Sequence, residues 1–346
     1  MTMILNWLYD MAVGFVGLQH FADPNVQTTG SAELAGENKT FYHDTLIDSA
    51  EPNLVHANYG LKIAVPEHAG KSMELRVFDV LDKQTRELQE GVTPDGNNLK
   101  MRTMTVELKQ YGDYVTLSDV ATVTMIDPLV LQATKAMGSQ AGRSLDTVVR
   151  DVITAGTNVL YAPKVVDGTA TEVTSRANLT ADCKITPDLI FQAAAQLKTM
   201  LAEPIGSSYI ALIHPMNSYE IMSNEMFQEM HKYSAVENLF ANEIGRIGNV
   251  RFIESSECKV VKGGSGGNLG IFLTMVLGKD AYAVTEINGL GLEHIFKPLG
   301  SAGSADPLSQ RATCGWKSTI GCIRVKEQNM IRIESCGRFS TKVEAN

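Results

Sequence analysis

One long helical pattern constrains the fold more than any other feature of this sequence. Asp127 and Pro128 supply a capping residue followed by proline at the first helical position, and Ala155-Gly156 supplies a glycine stop. A helix of about 28 residues is roughly 40 Å long at 1.5 Å per residue, which makes it the strongest single element of the chain. Apolar residues recur at helical spacing between its ends, at Val130, Ala133, Met137, Ala141, Leu145, Val148, Val149, Val152 and Ile153.

Part of this helix consists of small residues. Small side chains allow a second backbone to come close to a helix. We therefore predict that another segment of backbone packs closely along this stretch. The residues concerned are Ala136, Gly138, Ser139, Ala141, Gly142 and Ser144.

The region before the helix alternates between apolar and polar residues, as strands do. The alternation runs through 72–80 and returns in 100–117, with a turn at 91–96 between the two stretches. Pro94 fixes φ in this turn, and the Asp-Gly pair that follows suits a tight reversal. The pattern predicts a long polar hairpin without a catalytic group. Because isolated two-stranded hairpins are marginally stable in water, we expect it to gain stability from a neighbour.

After the helix, short strands and helices follow one another without a repeated βαβ pattern. Residues 161–180 have the pattern of a β insertion, "DLIFQAAAQLKTMLAE" predicts a second helix and "SSYIALIHP" predicts a buried strand. A further helix is expected from about 217 to 232, and we interpret its methionines (Met222, Met226 and Met230) as core packing. The order of elements predicts an α+β fold with mostly local strand pairs.

Charge and cysteine content exclude some classes of protein. There are 30 Lys and Arg against 39 Asp and Glu, and the net charge of −9 argues against a protein whose main task is to grip phosphates. The number of cysteines is odd and no pair has C-x-x-C spacing, which favours free thiols over a disulfide framework or a structural zinc site. The cysteines are Cys183, Cys258, Cys314, Cys322 and Cys336.

Residues 1–21 are rich in apolar side chains but lack the pattern of a signal peptide or a membrane span. No Lys or Arg occurs before Lys39, so the positive flank of a signal peptide is missing. Polar residues such as Asn6, Asp10 and His20 interrupt the apolar run. We expect this segment to dock on protein and expect no contact with a membrane.

The candidate catalytic and metal-binding motifs are weak. Gly263 to Gly267 match G-x-S-x-G around Ser265, but a nucleophile elbow needs a helix after the serine, and the residues that follow predict a strand. A hairpin loop explains this stretch better. His214, His231 and His294 are too dispersed for a metal motif. We predict no catalytic residue, no metal and no cofactor.

A series of longer stretches is similar to a known family. In order along the chain they are "EGVTPDG", "QYGDYVTLSDV", "MGSQAGRSLDTVVRDVITAGTNVLYAP", "ALIHP", "NEIGRIGNVRFIES", "VLGKDAYAVTEI" and "DPLSQRATCGWKST". Together they cover nearly the whole chain from about Met11 onward. The sequence resembles the major capsid proteins of tailed bacteriophages, which have the HK97-like fold. None of these stretches is catalytic, as expected of a shell protein.

The resemblance implies a layout for the chain. Residues 1–68 would form an N-terminal arm and residues 69–118 an extended β-hairpin, the E-loop. Residues 119–185 would form a peripheral domain with a long spine helix and the β insertion. Residues 186–290 would form an axial domain, and residues 291–346 would return to the peripheral domain.

The resemblance also implies a function and partners. The chain would assemble with copies of itself into hexamers and pentamers of an icosahedral head, in the cytoplasm of a host bacterium, and would touch packaged double-stranded DNA only weakly. Portal, scaffold or decoration proteins would be further partners. Contacts between subunits are expected at the E-loop tip, formed by Val92, Thr93, Pro94, Asp95 and Gly96. A further contact is expected at the loop of Gly264, Ser265 and Gly266 near the axes.

Two other functions are compatible with parts of the sequence. An encapsulin, the shell of a cellular nanocompartment, would have the same fold and differ in its cargo. A hydrolase that uses Ser265 is the second alternative, and it rests on the G-x-S-x-G match alone.

Overall fold

A computed structural model describes residues 42–346, with gaps at 51–52, 66–69, 79, 82, 86, 88–89, 92, 94–95, 125–128, 167–168, 233–242, 288–290, 302 and 304–305. The apolar segment 1–21 and the capping pair Asp127-Pro128 therefore lie outside the described residues. Helices and two main β-sheets combine in an α+β fold, which confirms the predicted class.

The helical segments include the predicted long helix, here α4. Its described part runs from Leu129 to Thr154, as the spacing of apolar residues predicts. The α-helices of the described residues are α1 (42–50), α2 (Val55–Asn58), α3 (Asp119–Thr124), α4 (Leu129–Thr154), α5 (Pro187–Thr199), α6 (Pro215–Met222) and α7 (Glu225–Lys232). Short 3₁₀ turns occur at Arg176–Asn178 and Glu327–Asn329.

The strands fall into two large sheets and two hairpins. In chain order they are β1 (Leu61–Val65), β2 (Ser72–Phe78), β3 (Met101–Glu107), β4 (Lys109–Ser118), β5 (Val159–Tyr161), β6 (Lys164–Val166), β7 (Thr169–Thr171), β8 (Tyr209–Ile213), β9 (Glu243–Ile247), β10 (Val250–Glu254), β11 (Val260–Gly263), β12 (Leu269–Leu277), β13 (Tyr282–Ile287), β14 (Glu293–Lys297), β15 (Arg311–Arg324) and β16 (Met330–Ser335).

The two sheets are built around β15 and β12. The five-stranded sheet has the order β1-β13-β15-β14, with β4 also paired to β15. The seven-stranded sheet has the order β5-β16-β12-β8-β10-β9, with β11 also paired to β12. Most pairs are antiparallel, but β1 with β13, β8 with β10 and β5 with β16 are parallel. The hairpins β2-β3 and β6-β7 form separate two-stranded sheets.

Strand pairing joins parts of the chain that are far apart in sequence. Strand β13 lies in the range 186–290 but pairs with β15, and β16 lies in 291–346 but pairs with β12. The two ranges therefore exchange strands, and the five domain boundaries expected from the sequence stay a prediction.

Strand β8 separates the two main hydrophobic cores. All five of its residues are buried, as predicted for "YIALI". Tyr209, Ala211 and Ile213 point into a core shared with α5, whereas Ile210 and Leu212 point into a core shared with α4. This follows from the period of two along a strand, because a strand that is buried on both faces reads as a continuous apolar run.

The predicted hairpin is shorter than the alternation suggested. Strands β2 and β3 pair over seven residues, from Ser72–Glu107 to Phe78–Met101. Residues 109–118, which were expected to continue the hairpin, instead pair with β15 along ten residues. The same alternation suits either partner, so the sequence pattern alone could not decide between them.

The predicted helix 217–232 is wrong in two respects. It is two helices, α6 and α7, because the side chain of Asn224 accepts a hydrogen bond from the Met226 amide at 3.0 Å and begins a new helix. Its methionines are also not core residues, since Met222 and Met226 are exposed. The burial of Met230 lies outside what the structure describes.

The small-residue stretch of α4 receives helix α1, which confirms the predicted close approach. A Cβ atom at Gly138 would lie 2.5 Å from the Leu46 carbonyl oxygen, and one at Gly142 would collide with the Ala50 carbonyl oxygen. Leu46 and Ala50 are both buried at this contact. The two glycines, one helical turn apart, therefore let the backbone of α1 rest directly on α4.

A buried ion pair attaches α2 to the same long helix. The Asp146 carboxylate is fully buried and accepts hydrogen bonds from the amide of His56 at 2.6 Å and from the amide of Ala57 at 3.3 Å. Its second oxygen lies 2.6 Å from Nδ1 of His56. The Tyr282 hydroxyl donates to the His56 carbonyl oxygen, and Nε2 of His56 lies 3.8 Å from the Cys258 sulfur. Nothing in the sequence around His56 or Asp146 predicts this pair.

The pair keeps the imidazole charged. Burial opposes the charge, but the hydrogen bonds to Asp146 and Cys258 outweigh burial and raise the pKa of His56 to about 10. The free energy of folding therefore includes a favourable contribution from this group while it stays protonated.

We predict that Gly142→Ala destabilises the protein although it improves helix propensity. Propensity alone would add about 1 kcal/mol of stability. The new methyl group would meet the Ala50 carbonyl oxygen, and overpacking of this kind costs about 1–3 kcal/mol. Urea unfolding measures the net effect. Ala136→Gly at an exposed position of α4 is the control, and it should cost only its propensity. A stabilised Gly142→Ala variant would contradict the close packing of α1.

We predict that Asp146→Asn costs about 3–5 kcal/mol, because it leaves a buried imidazole without its counter-charge. Asp151→Asn is the control on the same helix, since the Asp151 side chain is 47% exposed and its ion pairs are worth little. Urea unfolding at pH 6 measures both effects. Equal costs for the two variants would contradict the role of Asp146.

The His56 contribution should also depend on pH. The pKa of this group is 6.5 when unfolded and about 10 when folded. Its contribution is therefore complete below pH 6.5 and is lost as the pH rises towards 10. The difference in unfolding free energy between the parent and His56→Gln should shrink over this range. A difference in unfolding free energy that stays constant from pH 6 to 10 would contradict the raised pKa of His56.

Candidate assembly surfaces

The E-loop hairpin, defined as residues 72–107, leaves the body of the protein as two strands. At its base Val106 and Leu108 are buried, and the amide of Leu108 donates to the Lys71 carbonyl oxygen at 2.9 Å. One face of the hairpin pairs Met73 with Val106 and Leu75 with Met104. On this face Val106, at the base, is fully buried, whereas Met73, Leu75 and Met104 are only half-buried. The hairpin is therefore well supported at its base only.

Farther from the base, the hairpin carries a row of exposed apolar side chains. Phe78 lies directly opposite Met101, and each is at least half exposed. Several exposed large apolar side chains on one short segment are typical of a contact surface. The apolar row is defined by Phe78, Val80, Leu81, Leu99 and Met101.

The predicted contact at the E-loop tip is only partly described. Thr93 and Gly96 are exposed, and a Cβ atom at Gly96 would meet nothing within 4 Å. Val92, Pro94 and Asp95 lie outside the described residues. Contact between subunits at this tip stays a prediction.

A groove of about 820 Å³ lies on the five-stranded sheet, where β4, β15 and β14 run side by side. Gly315 faces Tyr114 across the strand pair, and a Cβ atom at Gly315 would lie 2.9 Å from the Tyr114 Cβ. Glycine at position 315 therefore lets β15 approach Tyr114 closely, and Tyr114 itself is 69% exposed. Ile295 from β14 pairs with Gly315 on the other side and adds an apolar contact.

The lining of this groove carries more positive than negative charge. Its basic residues are Lys297, Arg311 and Lys317, and its acidic residues are Asp113 and Asp306. Lys317 lies 3.7 Å from Glu293, a partly exposed ion pair. Sequence reasoning missed this groove because β4 is distant along the chain from β14 and β15, and only strand pairing brings the three together.

The glycine loop between β11 and β12, residues 264–268, is the hairpin loop predicted from the sequence. Gly263 pairs with Leu269, so a strand lies on each side of Ser265. Gly264, Gly266 and Gly267 have positive φ values of 74°, 89° and 75°. A nucleophile elbow requires a helix after its serine, and here β12 follows instead. The Ser265-dependent hydrolase therefore lacks its structural context.

The loop is attached to the body of the protein at one point. The amide of Ser265 donates to the Leu179 carbonyl oxygen at 2.7 Å, and a Cβ atom at Gly264 would lie 2.7 Å from the same oxygen. The side of the loop formed by Ser265 and Gly266 is exposed. A contact between subunits there stays a prediction.

The other candidate residues of the sequence analysis are histidines and cysteines, and those that the structure describes have structural roles. The ring of His214 caps α6 by accepting a hydrogen bond from the Met216 amide at 3.2 Å, whereas His294 is buried beside Cys314. The side chain of His231 lies outside what the structure describes. All five cysteines are free thiols, as predicted. Within the described residues, no group of three or more His, Cys, Asp or Glu has the geometry of a metal site.

No helix among the described segments has the length and apolar content needed to cross a bilayer. The longest of these helices, α4, buries Met137, Leu145 and Val149 and exposes Lys135 and Arg143. This amphipathic pattern is typical of a helix packed on protein.

The sequence matches a family model of phage capsid proteins over residues 102–292, which is more than half of the chain. The match includes part of the E-loop hairpin, all of α4, six strands of the seven-stranded sheet and two strands (β4 and β13) of the five-stranded sheet. No curated protein sequence matches the chain significantly.

Solved structures of phage capsids have a similar fold. The capsid of cyanophage P-SCSP1u has a TM-score of 0.61 at 14% identity, covering 82% of this chain and 88% of that one. The capsid of Ralstonia phage GP4 has a TM-score of 0.63 at 14% identity, covering 80% and 87%. The capsid of cyanophage Pam1 has a TM-score of 0.62 at 11% identity, covering 84% and 92%.

At these identities the likeness concerns the fold, and the family follows from the sequence match. Together they support a structural role for the chain in a capsid shell. The chain belongs to the phage capsid protein family and has the HK97-like fold of tailed-phage major capsid proteins.

Proposed function

We propose that copies of this chain form the hexamers and pentamers of an icosahedral phage head that encloses double-stranded DNA. The apolar row of the E-loop hairpin supports this most directly. A hairpin supported only at its base and carrying exposed Phe78 and Met101 gains stability when a second copy covers it. When such contacts repeat over a closed shell, many weak interfaces together make a stable particle.

In this assembly the E-loop hairpin of one copy lies in the groove of the next. The groove offers apolar contact at Tyr114 and Ile295 for the apolar row. Residues 78–96, which include the outer part of the hairpin, hold five acidic and two basic residues, a net charge of −3. The groove lining holds three basic and two acidic residues, a net charge of +1. The opposite signs favour this orientation of the two surfaces.

The acidic character of the whole chain suits a container for DNA. A strongly basic lining would bind phosphates tightly, and its affinity would depend on salt. The net charge of −9 supports weak contact with packaged DNA. Portal, scaffold or decoration proteins remain expected partners, with assembly in the host cytoplasm before the head becomes part of the virion. The family match favours a phage head over an encapsulin.

We predict that deletion of residues 85–98 leaves a folded subunit that does not form shells. The described residues of the deleted part lie beyond the paired strands β2 and β3 and are exposed, so thermal unfolding should change little. Negative-stain electron microscopy and gradient sedimentation measure assembly. Lys198→Ala, at an exposed position of α5 outside the proposed contact surfaces, is the control and should assemble like the parent. Normal shells from the deletion variant would show that the outer end of the hairpin is not needed for assembly.

We predict that the double variant Lys297→Glu, Lys317→Glu loses shells by reversing the charge of the groove. Lys198→Glu, an exposed position on α5 outside the groove, is the control. Adding Asp79→Lys and Asp82→Lys to the double variant should restore part of the assembly. Sedimentation of all three proteins at low and high salt provides the measurement. Full assembly of the double variant, or loss that the added lysines do not reduce, would exclude the groove as the acceptor.

A further inference from the structure

The first described segment of the chain is held at two separate points. Helix α2 is held by the buried pair of His56 and Asp146. Helix α1 is held on α4 by the glycine contacts, and at its beginning by the ring of Tyr42. This ring stacks on His294 with centroids 6.0 Å apart and planes at 28°, and it lies 6.1 Å from the ring of Phe296. A histidine therefore takes part in each attachment.

The two histidines have opposite surroundings. His56 faces the carboxylate of Asp146, which stabilises its positive charge. The Nε2 atom of His294 lies 3.3 Å from the sulfur of Cys314, and that sulfur lies 3.7 Å from the hydroxyl of Thr134 on α4. Burial raises the pKa of Cys314, so this sulfur is a neutral thiol. Within the described residues, no ion pair joins His294 to a carboxylate.

Among the residues that the structure describes, no carboxylate acts to stabilise a proton on the His294 ring. His43, on the next position of α1 after Tyr42, adds a repulsive charge when it is protonated. Glu293 and Lys317 pair with one another across β14 and β15, at positions whose side chains project from the opposite face of the sheet. Burial and His43 together lower the pKa of His294, whereas the pKa of His56 is raised.

We propose that His294 is an acid-sensitive latch for α1. Protonation of its ring places an uncompensated charge in a buried site, under the Tyr42 ring and next to His43. Detachment of α1 exposes His294 to water and removes this cost. Helix α2 stays in place because its own histidine is already charged and paired. Acid therefore frees α1 from the glycines of α4 while the second attachment holds.

The direction of the pH dependence follows from the two states of His294. With α1 detached, the ring faces water and has its ordinary pKa of 6.5, and with α1 docked the pKa is lower. The detached state binds the proton more tightly, so docking is strongest above pH 6.5 and weakens as the pH falls below it. The latch is a property of the single subunit and does not depend on the proposed assembly.

Hydrogen exchange of the purified, full-length subunit at pH 8 and pH 5 tests the latch. Labelling times are scaled for the intrinsic effect of pH on exchange. We expect protection of residues 42–50 to fall by up to about tenfold for each pH unit below 6.5, while residues 55–58 keep their protection. His294→Phe retains an aromatic partner for Tyr42 without a titrating group, and it should protect α1 equally at both pH values.

Two further variants keep the test decisive. His214→Asn changes another partly buried histidine, keeps a capping side chain for α6, and should respond to acid like the parent. His43→Gln removes the neighbouring charge and should give a smaller loss of protection at pH 5. If His294→Phe does not fold, His43→Gln takes its place as the test of the latch.

Three results would overturn the latch. The first is equal protection of α1 in the parent at both pH values. The second is an unchanged acid response in His294→Phe or, if that variant does not fold, in His43→Gln. The third is simultaneous loss of protection in α1 and α2, which would indicate general acid unfolding.

Discussion

Burial of one face of α4 is the constraint on which the rest of this structure depends. Met137, Leu145 and Val149 project from that face into a single core. The same core receives Ile210 and Leu212 from the seven-stranded sheet, and Trp316 and Ile320 from the five-stranded sheet. The helix thus joins two sheets that share no strand. A change in its position would disturb both sheets at once.

The N-terminal segment completes the burial of this helix. Asp146 lies on α4 where it cannot reach water, and an unpaired carboxylate there would be very costly. His56 and the amides of α2 satisfy it, while α1 covers the glycines one and two turns earlier. The burial of α4 therefore depends on residues about 90 positions away in the chain. Apart from strand β1, the described part of that N-terminal segment adds no strand to the two large sheets.

Elements fixed by local signals could be predicted from the sequence, and those fixed by distant partners could not. The spacing of apolar residues predicts α4, the Thr-Pro-Asp signal predicts α5, and an unbroken apolar run predicts β8. Strand β4 has the same alternation whether it pairs with β2 or β15, and only the fold selects β15. A cap at Asn224 could have been found from its residue type, but the surface position of Met222 could not, because methionine suits a core equally well.

The candidate surfaces show the same division. The E-loop hairpin could be predicted as an element in need of a partner, since its composition is visible in the sequence. The groove could not, because Tyr114, Ile295 and Gly315 come from three strands. This difference has a physical basis in the proposed assembly. Beyond its base the hairpin is exposed, so its apolar row remains available to lower the free energy of contact with a neighbour. A hairpin buried in its own subunit would make the monomer more stable and would remove the driving force for joining a shell.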